Sequence, residues 1–432
     1  MRNNFTIKGA SLVLTLEPSI GLGKLGLSRD LDIRIENGLI VEVGKNLPGS
    51  KDETLDASGK IVMPGFVDCH DHLWQTLIRG CGLDQGLSGW LEECVFAVAR
   101  AGLSRNDVYH AVRLGSFGLI ETGVTTVLDW SHAFDENFVE ANLSALSDSG
   151  LRFGYGFYCQ NNPERYLRAQ EIKDMVDGDT FALLHICAHP AIESIEELAN
   201  TFSVAEKLDL SFDVHLLESP EQIDQKPFEA LQKSGAVNFR LLADHVVHLS
   251  SEEIHLLSTS SARITHNPLS NMRLGSGVAK LPEMKESGLA MGLGLDGGTN
   301  DFPDFFTNMK MAVGLQRARS NSASAFPSTQ DALWLATMGG ANVLKLQDKI
   351  GSLKAGKFAD LIFINPTSMN FGPDWNWVDQ IVFSGQPQAV TEVIVAGNFL
   401  KRNGALVDTD VSKTVKKVNN SALELKERLK LV

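Results

Sequence analysis

The chain of 432 residues is predicted to be an α/β protein, a (β/α)8 TIM barrel with a small β-sandwich domain formed from both chain termini. Two observations predict this architecture. In the middle of the chain, strand-like runs alternate with helix-like stretches at a fairly even spacing. Near both ends, short strand-like runs are separated by glycine turns. This texture places the first part of the sandwich at residues 1–60, the barrel at 61–355, and the second part of the sandwich with a C-terminal helix at 356–432.

Eight segments are predicted to be the barrel strands, because each is a short apolar run of strand length. They are Ile61–Val67, Thr125–Leu128, Arg152–Phe157, Phe181–Ile186, Ser211–Leu216, His245–Leu249, Arg263–Thr265 and Leu289–Leu295. Amphipathic segments lie between them at Arg105–Glu121, Glu193–Leu208, Lys226–Lys233, Ser251–Leu257 and Leu281–Ser287. Eight such strands over about 290 residues match the size of a slightly extended (β/α)8 barrel.

Both chain ends show the same pattern of short strand-like runs, which predicts that they form a single sandwich. The strand-like runs are Phe5–Thr15, Leu31–Glu36, Leu39–Val43, Leu361–Asn365, Val390–Val395 and Phe399–Arg402. The last stretch, Val411–Leu431, is rich in lysine and amphipathic, and it is predicted to be a surface helix with no function assigned.

Composition and charge narrow the class of partner. The chain is 43% hydrophobic and 21% charged, which is ordinary for a globular protein. The net charge of −14 repels nucleic acid and anionic membranes, so a neutral or cationic small molecule is the expected substrate. The start of the chain lacks the apolar region of a secretory signal, and no apolar run is long enough to span a membrane. A cytoplasmic location is therefore expected.

The five cysteines are expected to be reduced, mostly buried thiols. They form no Cys-x-x-Cys pair and their number is odd, which is typical of a reducing compartment. Their positions are Cys69, Cys81, Cys94, Cys159 and Cys187.

The most informative motif is a strand that stops at His70 and His72, one residue apart. Alternate residues of a strand share one face, so both imidazoles can aim at one point. Imidazole is a common metal ligand, and two of them on a rigid strand end supply half of a four-coordinate site. Pro64-Gly65 precedes the histidines and predicts a turn that re-aims the backbone.

Other predicted strands also end in ligand-type residues. Strand five ends in His215 and Glu218, strand six opens on Asp244-His245, and strand eight ends in Asp296. Active sites of (β/α)8 barrels lie at the carboxyl ends of the strands, so these side chains can meet at one mouth. Three imidazoles and one carboxylate leave a coordination position open for water, which is typical of a catalytic metal site.

On these residues the chain resembles the amidohydrolase superfamily, and within it the mononuclear deaminase and chlorohydrolase branch that acts on aminated purines, pterins, cytosine and s-triazines. The resemblance covers nearly the whole chain. Its motifs are Pro-Gly-Phe-Val-Asp-Cys-His70-Asp-His72, His215-Leu-Leu-Glu218, His245-Val-Val-His-Leu-Ser, Thr-His266-Asn-Pro-Leu-Ser-Asn, Gly-Leu-Asp296-Gly and Gly351-Ser-Leu-Lys-Ala-Gly-Lys-Phe-Ala-Asp360-Leu.

The resemblance implies one divalent metal per chain, held by His70, His72, His215 and Asp296, with Glu218 and His245 beside it. Zn2+ is the preferred metal, and Fe2+ or Mn2+ suit the same ligands. Relatives with two metals bridge them by a carboxylated lysine from strand four, and strand four here carries His185 and no lysine. The resemblance also implies a homo-oligomer.

Several further residues are candidates for binding substrate. The family often places substrate-recognising groups after the His-x-His motif, where Trp74, Gln75 and Arg79 lie in this chain. His189 and His132 follow strands four and two and resemble substrate-facing positions. The loop after Asp296 reads Gly-Gly-Thr-Asn-Asp, and it differs from the Ser-Asn-Asn-Asp-type loop of purine nucleoside deaminases. That difference does not favour a nucleoside substrate.

The leading hypothesis is a hydrolytic deaminase that acts on a carbon–nitrogen bond of a cyclic amidine in a purine, pterin, pyrimidine or triazine. Hydroxide formed on the metal would attack the ring carbon and release ammonia, with Asp296 accepting a proton, Glu218 shuttling protons, and His245 polarising the developing charge. One alternative is displacement of chloride or an alkylamine from an s-triazine-like ring. A remote alternative is a non-catalytic barrel that serves as a scaffold.

Overall fold

Strands from the whole chain form three sheets. The computed structural model describes residues 4–49, 53–160, 162–297, 302–367 and 369–430. Within them the strands are β1 (Phe5–Lys8), β2 (Leu12–Leu14), β3 (Leu27–Ser28), β4 (Asp32–Glu36), β5 (Leu39–Gly44), β6 (Thr54–Asp56), β7 (Ile61–Pro64), β8 (Phe66–Asp71), β9 (Val124–Ser131), β10 (Arg152–Tyr158), β11 (Ala182–Ala188), β12 (Ser211–Leu216), β13 (Leu241–His245), β14 (Arg263–His266), β15 (Ala290–Leu293), β16 (Leu361–Ile364), β17 (Val390–Val395), β18 (Asn398–Arg402) and β19 (Ala405–Leu406).

The central sheet is a parallel barrel, as the sequence predicts. Strands β8 to β15 pair with one another in chain order. The barrel closes at its mouth, where the backbone nitrogens of Leu295 and Asp296 donate to the oxygen of His70 at 3.1 and 2.8 Å. Because all eight strands run the same way, their carboxyl ends share this one mouth.

The described residues form fifteen helices, and the first ten of them lie between the strands of the barrel. They are α1 (Leu87–Trp90), α2 (Ala97–Ala101), α3 (Arg105–Thr122), α4 (Glu136–Ser147), α5 (Pro163–Asp177), α6 (Ile195–Leu208), α7 (Pro227–Lys233), α8 (Ser251–Thr259), α9 (Pro268–Arg273), α10 (Leu281–Glu286), α11 (Phe305–Ser320), α12 (Thr329–Trp334), α13 (Gly340–Val343), α14 (Trp377–Ser384) and α15 (Val411–Arg428). Leu91–Phe96 and Leu335–Gly339 form π-helical turns, and 3-10 turns cover Leu73–Ile78, Ile192–Ser194, Pro220–Gln225 and Pro387–Ala389.

The chain ends build two sheets, as predicted. One has the strand order β5-β4-β1-β6, and the other has the order β19-β18-β17-β16-β7-β2-β3. Residues from both ends, among them Phe5, Ile33, Val62 and Phe363, share one apolar core. The boundaries at residues 60 and 355 remain predictions.

The predicted first barrel strand is wrong in its position, because the segment Ile61–Val67 belongs to two sheets. Its first half, β7, pairs with β16 and β2 of the terminal sheet. Gly65 follows, and the barrel strand β8 begins at Phe66. A β-carbon on Gly65 would lie 2.1 Å from Thr125 Cγ2, so only glycine allows the chain to pass this closely to β9.

Gly65→Ala is therefore expected to lower the free energy of unfolding by about 1–3 kcal/mol, because the added methyl group has no space. Chemical denaturation measures the change. Gly314→Ala is the matched control, since nothing lies within 4 Å of a β-carbon there in helix α11. A destabilisation of Gly65→Ala no larger than that of the control would contradict the steric argument.

Strand six is also shifted relative to the prediction. The sequence predicts His245–Leu249, whereas β13 covers Leu241–His245, so His245 closes the strand instead of opening it. The apolar run Leu241-Leu242-Ala243 supplies the residues that pair with β12 and β14. The shift places His245 at the barrel mouth.

The prediction that all cysteines are reduced is wrong for one pair. Cys81 and Cys94 form a disulfide, with their Cα atoms 6.1 Å apart. The turn at Leu73–Ile78 and the π-helical turn at Leu91–Phe96 bring them together, which no spacing rule indicates. Cys69, Cys159 and Cys187 are free and buried, as expected.

The C-terminal surface helix is present as α15, which ends at Arg428. Within the described residues, no helix combines the length and the apolar character needed to cross a membrane.

Candidate metal and active site

Four imidazoles and one carboxylate converge at the mouth of the barrel. His70 and His72 lie at the end of β8, His215 and His245 at the ends of β12 and β13, and Asp296 just after β15. Asp296 Oδ1 is 3.3 Å from both His70 Nε2 and His72 Nε2. His72 Nε2 is also 3.2 Å from His215 Nε2. The structure thus brings together the residues that the sequence nominates from separate strands.

Outer hydrogen bonds orient two of the imidazoles. His72 Nδ1 donates to the backbone oxygen of Trp130 at 2.6 Å. His70 Nδ1 lies 2.9 Å from Asp244 Oδ2, close enough for the carboxylate to accept a hydrogen bond from the ring. A neutral ring that donates from Nδ1 carries its lone pair on Nε2. In their neutral form both rings therefore present a lone pair to the centre of the cluster, which is the state that a metal ligand needs.

His245 has the opposite arrangement. Its Nδ1 faces the amide nitrogens of Asn271 at 2.9 Å and Asn267 at 3.3 Å. Amide nitrogens donate, so Nδ1 accepts and the ring proton lies on Nε2. That Nε2 is 4.0 Å from Asp296 Oδ2. His245 is thus placed as a hydrogen-bond donor at the site.

Asp296 and His245 both have a left-handed backbone, with φ of 63° and 67°. Such a backbone costs a residue with a side chain roughly 1–3 kcal/mol and persists only where the surroundings enforce it. At Asp296 the enforcing contacts are the backbone hydrogen bond to His70 and the hydroxyl of Ser270, which donates to Asp296 Oδ2. Strain of this kind clusters at functional sites.

The convergent atoms fit a divalent metal. Ligand atoms of His70, His215, His245 and Asp296 all lie within 4.8 Å of one another. His70 Nε2 and His215 Nδ1 are buried and have no hydrogen-bond partner in the part of the chain that the structure describes. A cation beside His70 Nε2 would satisfy that orphaned atom. Imidazoles with a carboxylate are the donor set that catalytic zinc sites use.

Burial and neighbouring charges set the protonation of this cluster. Burial, reinforced by the surrounding imidazoles, holds the pKa of His215 well below its ordinary value. Burial acts to raise the pKa of Asp296, but the neighbouring imidazoles outweigh it and hold that pKa well below the usual range. At His70 burial acts to lower the pKa, yet Asp244 and Asp296 outweigh it and raise the pKa well above normal. The negative potential that raises the pKa of His70 also attracts a metal cation.

Glu218 faces the same centre from the loop after β12. Its Oε1 is 3.6 Å from His245 Nδ1 and has no hydrogen-bond partner among the described residues. Its backbone nitrogen donates to Gln222 Oε1 at 2.6 Å, which fixes the turn. Burial, followed by the charge of Asp296, raises the pKa of Glu218 well above its ordinary value. A carboxyl group whose pKa is raised keeps its proton to higher pH than usual, so it can act as a general acid.

A cleft of about 240 Å3 opens over the cluster. Asp296, His72, His215 and Glu218 form part of its lining. Among the other lining residues, five apolar side chains are called the wall and five polar ones the rim. The wall consists of Leu87, Trp90, Leu91, Phe96 and Leu274, and the rim of Ser88, Ser219, Glu221, Gln222 and Gln225.

Three of the five predicted substrate-binding residues, Gln75, His132 and His189, line this cleft. Trp74 does not, because its indole is buried and donates from Nε1 to His132 Nδ1 at 3.0 Å. Arg79 is exposed at the end of the turn Leu73–Ile78 and lies outside the lining. Substrate contacts by Trp74 and Arg79 are therefore not supported by the structure, and Trp74 instead positions His132.

Sequence reasoning missed residues that act on the site from loops. Asn271 and Ser270, which contact His245 and Asp296, lie in the Thr-His-Asn-Pro-Leu-Ser-Asn motif. The motif therefore pointed to these two residues, but it did not indicate which side chains they contact. Gln222 belongs to a segment with no motif, and the sequence carries no signal of its place in the site.

Asn271→Ala is expected to lower kcat by about 10-fold, since losing a hydrogen bond to a buried partner costs about 1–3 kcal/mol. The physical reason is that the His245 ring loses the closer of the two amides that keep its proton on Nε2. Steady-state kinetics together with metal content measures the effect. An unchanged kcat would show that Asn267 alone fixes the ring.

The comparisons with known proteins agree with this geometry. A model of the Amidohydrolase family matches residues 61–400. The 5'-deoxyadenosine deaminase of Methanobrevibacter smithii is 32% identical over 417 residues, which cover 92% of this chain and 94% of that protein. The 5-methylthioadenosine/S-adenosylhomocysteine deaminase of Pelotomaculum thermopropionicum is 31% identical over 447 residues, which cover 98% and 99%. The crystal structure of an adenosine deaminase from Xanthomonas campestris with bound zinc is 26% identical with a TM-score of 0.89, and the match covers 99% of this chain and 98% of that one.

The fold and the site define a metal-dependent hydrolase of the barrel class. The chain belongs to the Amidohydrolase family. Two predictions are thereby confirmed: the chain is an enzyme that acts on a carbon–nitrogen bond of a cyclic amidine, and it is a hydrolytic deaminase of an aminated heterocycle. The remote alternative of a non-catalytic scaffold is therefore wrong.

Proposed function

We propose that the substrate is a purine nucleoside with an exocyclic amine, of the kind for which the relatives are named, and that water replaces the amine. The observation that carries the proposal is one cleft whose lining joins Glu218 and Asp296 to an apolar wall and a polar rim. The wall suits the faces of a purine, and Gln75 offers both a donor and an acceptor to a ring edge. The polar rim offers hydrogen bonds to sugar hydroxyls.

The proposal revises the inference from the loop after Asp296. That loop argued against a nucleoside, but residues 298–301 lie outside the described residues. The names of the relatives, which share about a third of their residues with this chain, weigh in favour of a nucleoside.

One divalent metal, with Zn2+ preferred, would be held by His70, His72, His215 and Asp296. The lone pairs on His70 Nε2 and His72 Nε2 support this assignment, and the proton on His245 Nε2 argues against His245 as a ligand. When bound, such a metal acts as a Lewis acid that makes water acidic enough to supply a nucleophile near neutral pH.

Asp296 and Glu218 would carry out the proton transfers, and His245 would stabilise the developing charge. Asp296, whose Oδ1 lies 3.3 Å from both His70 Nε2 and His72 Nε2, would accept a proton from the attacking water as the water oxygen bonds to the amine-bearing carbon. Glu218 gives its proton to the adjacent ring nitrogen, which takes up the electron pair of the C=N bond. The Glu218 carboxylate then takes the proton of the new hydroxyl group as the C=O bond forms and passes it to the amine, the C–N bond breaks with its electron pair on nitrogen, and ammonia leaves. The proton held by Asp296 returns to Glu218, which restores both groups. His245 Nε2–H donates to the oxygen on which charge develops.

Displacement of chloride or an alkylamine from an s-triazine-like ring is the second candidate. The same attack by water serves it, because only the leaving group changes. Chloride needs no proton, whereas an amine does, and the buried Glu218 therefore favours an amine. A cytoplasmic location and a homo-oligomeric assembly also remain proposals, the second testable by light scattering on the purified chain.

The substrate is tested by ammonia release from a panel of compounds with the Zn2+-reconstituted protein. The panel contains 5'-deoxyadenosine, 5'-methylthioadenosine, adenosine, adenine, guanine, cytosine and an aminated s-triazine, with chloride release from a chlorotriazine measured in parallel. We expect turnover of the adenine nucleosides. Turnover of free bases alone, or of the chlorotriazine alone, would overturn the proposal.

Metal analysis of two variants tests the ligand assignment. His72→Ala is expected to lose the metal, because it removes a lone pair from the cluster. His245→Ala is expected to keep one metal per chain and to lose most of its turnover. The reverse result would exchange the roles of the two histidines.

A further inference from the structure

A row of buried polar side chains runs through the barrel interior below the candidate site. His185 on β11, Asp213 on β12 and Asp244 on β13 lead in that order to His70 on β8. His185 Nδ1 is 3.2 Å from Asp213 Oδ2. The carboxyl groups of Asp213 and Asp244 are in hydrogen-bond contact, and Asp244 Oδ2 is 2.9 Å from His70 Nδ1. None of the four is more than 3% exposed.

These side chains are costly to bury, so their presence in a barrel core calls for a role. Isolated carboxylates lose several kcal/mol or more of hydration energy when removed from water unless they are paired and hydrogen-bonded. Asp213 Oδ1 and both oxygens of Asp244 have no hydrogen-bond donor in the described residues apart from this row. Apolar side chains would fill the same space at lower cost.

The row has a definite direction. His185 can donate from Nδ1 to Asp213, one proton can lie between the two carboxyl groups, and Asp244 accepts from His70 Nδ1. A ring held by donation from Nδ1 is fixed in both its orientation and its tautomer. Its Nε2 then faces Asp296 at 3.3 Å with a lone pair available.

We propose that His185, Asp213 and Asp244 are positioning residues that hold His70 through this hydrogen-bonded row, so that its Nε2 is presented to the metal. The inference rests on the proposed role of His70 as a ligand.

Metal affinity and the visible spectrum of the Co2+-substituted protein test the proposal without any use of activity. Asp244→Asn is expected to weaken Co2+ and Zn2+ binding by about 10- to 100-fold, as loss of a partner behind a ligating histidine typically does. It should also shift the Co2+ absorption bands, because the His70 ring is no longer held. A chelator competition assay gives the affinities.

His185 supplies a pair of variants with milder changes. His185→Leu removes the donor to Asp213, whereas His185→Asn keeps an amide N–H near the position of Nδ1. We expect a several-fold loss of Co2+ affinity in His185→Leu and its recovery in His185→Asn. Thr126→Val is the matched control, since Thr126 is buried in β9 and its hydroxyl has no hydrogen-bond partner among the described residues. The control should leave the Co2+ spectrum unchanged.

The outcomes separate this inference from the proposed function. If the wild-type chain binds no divalent metal, the proposed function fails. If the wild type binds one metal, and Asp244→Asn and His185→Leu bind it as tightly and with the same spectrum, only the positioning role fails. The wild type could instead bind two metals and lose one of them in the Asp213→Asn and Asp244→Asn variants. That result would overturn the positioning role and identify these side chains as a second cation site.

Discussion

Glu218→Gln is expected to lower kcat by about 10²- to 10⁴-fold, the usual contribution of a general acid or base. The variant keeps the shape of the side chain but removes the proton that we assign to the ring nitrogen and, later, to the leaving amine. Glu218 is not among the proposed ligands, so the metal content should remain one per chain. Kinetics on the best substrate of the panel, with metal analysis on the same sample, measures both.

Glu221→Gln is the matched control for this variant. Glu221 lies on the rim of the same cleft, three residues further along, but it is exposed and accepts a hydrogen bond from Ser88. We expect at most a small change in kcat from it. Full turnover of Glu218→Gln with the metal bound would remove Glu218 from the mechanism.

The pH profile gives an independent measurement on Glu218. Its pKa is raised by burial and by the charge of Asp296, and the proposed general acid is active only while it holds its proton. For the wild type, kcat/KM should therefore be retained below that pKa and fall as the pH rises through it. Glu218→Gln should lack this alkaline limb, since its amide does not titrate. An identical limb in both proteins would assign it to another group.

The core of the site was predictable because the strands of a parallel barrel all end at one mouth. Once His70, His72, His215 and Asp296 were placed at strand ends, the fold required them to meet. The strand bounds did matter at His245, because the start of a barrel strand lies at the face opposite the mouth. Only the observed bounds of β13, Leu241–His245, bring His245 to the site. For a residue at the carboxyl end of a barrel strand, its place in the sequence therefore predicts its place in the structure.

The wall of the cleft was not predictable, because its residues do not lie at the ends of barrel strands. Trp90 and Phe96 reach the cleft through a helix interrupted by a π-helical turn, and the Cys81–Cys94 disulfide ties that segment back. No periodicity indicates the π-helical turn, and cysteines thirteen residues apart carry no pairing signal. Trp74 shows the same limit, since its place behind His132 depends on the turn at Leu73–Ile78. The loops that choose the substrate therefore needed the structure.

The junction between the barrel and the terminal sheets depends on one buried ion pair. Arg152, at the start of β10, donates from Nε to Asp360 Oδ2 at 2.9 Å and from Nη1 to the oxygen of Thr180 at 2.8 Å. Asp360, just before β16, also accepts from the backbone nitrogen of Ala396 at 2.7 Å. The guanidinium lies over the ring of Phe358, 4.4 Å from its centre. Arg152 is 1% exposed and Asp360 is 3% exposed, so no water can replace a lost partner.

Arg152→Met is expected to lower the free energy of unfolding by about 3–5 kcal/mol, because it leaves the buried carboxylate of Asp360 without its counter-charge. Urea denaturation measures the change. Arg100→Met is the matched control, since Arg100 pairs with Glu92 on the exposed surface, where such a pair contributes about 0–1 kcal/mol.

The double variant Arg152→Met with Asp360→Leu separates charge from packing. It should recover part of the loss, because no unpaired charge remains buried. Equal destabilisation of the single and double variants would show that the Arg152 stem, packed against Phe358, matters more than its charge. In that case the junction would be held by apolar contact, and the ion pair would serve only to fix which strands meet.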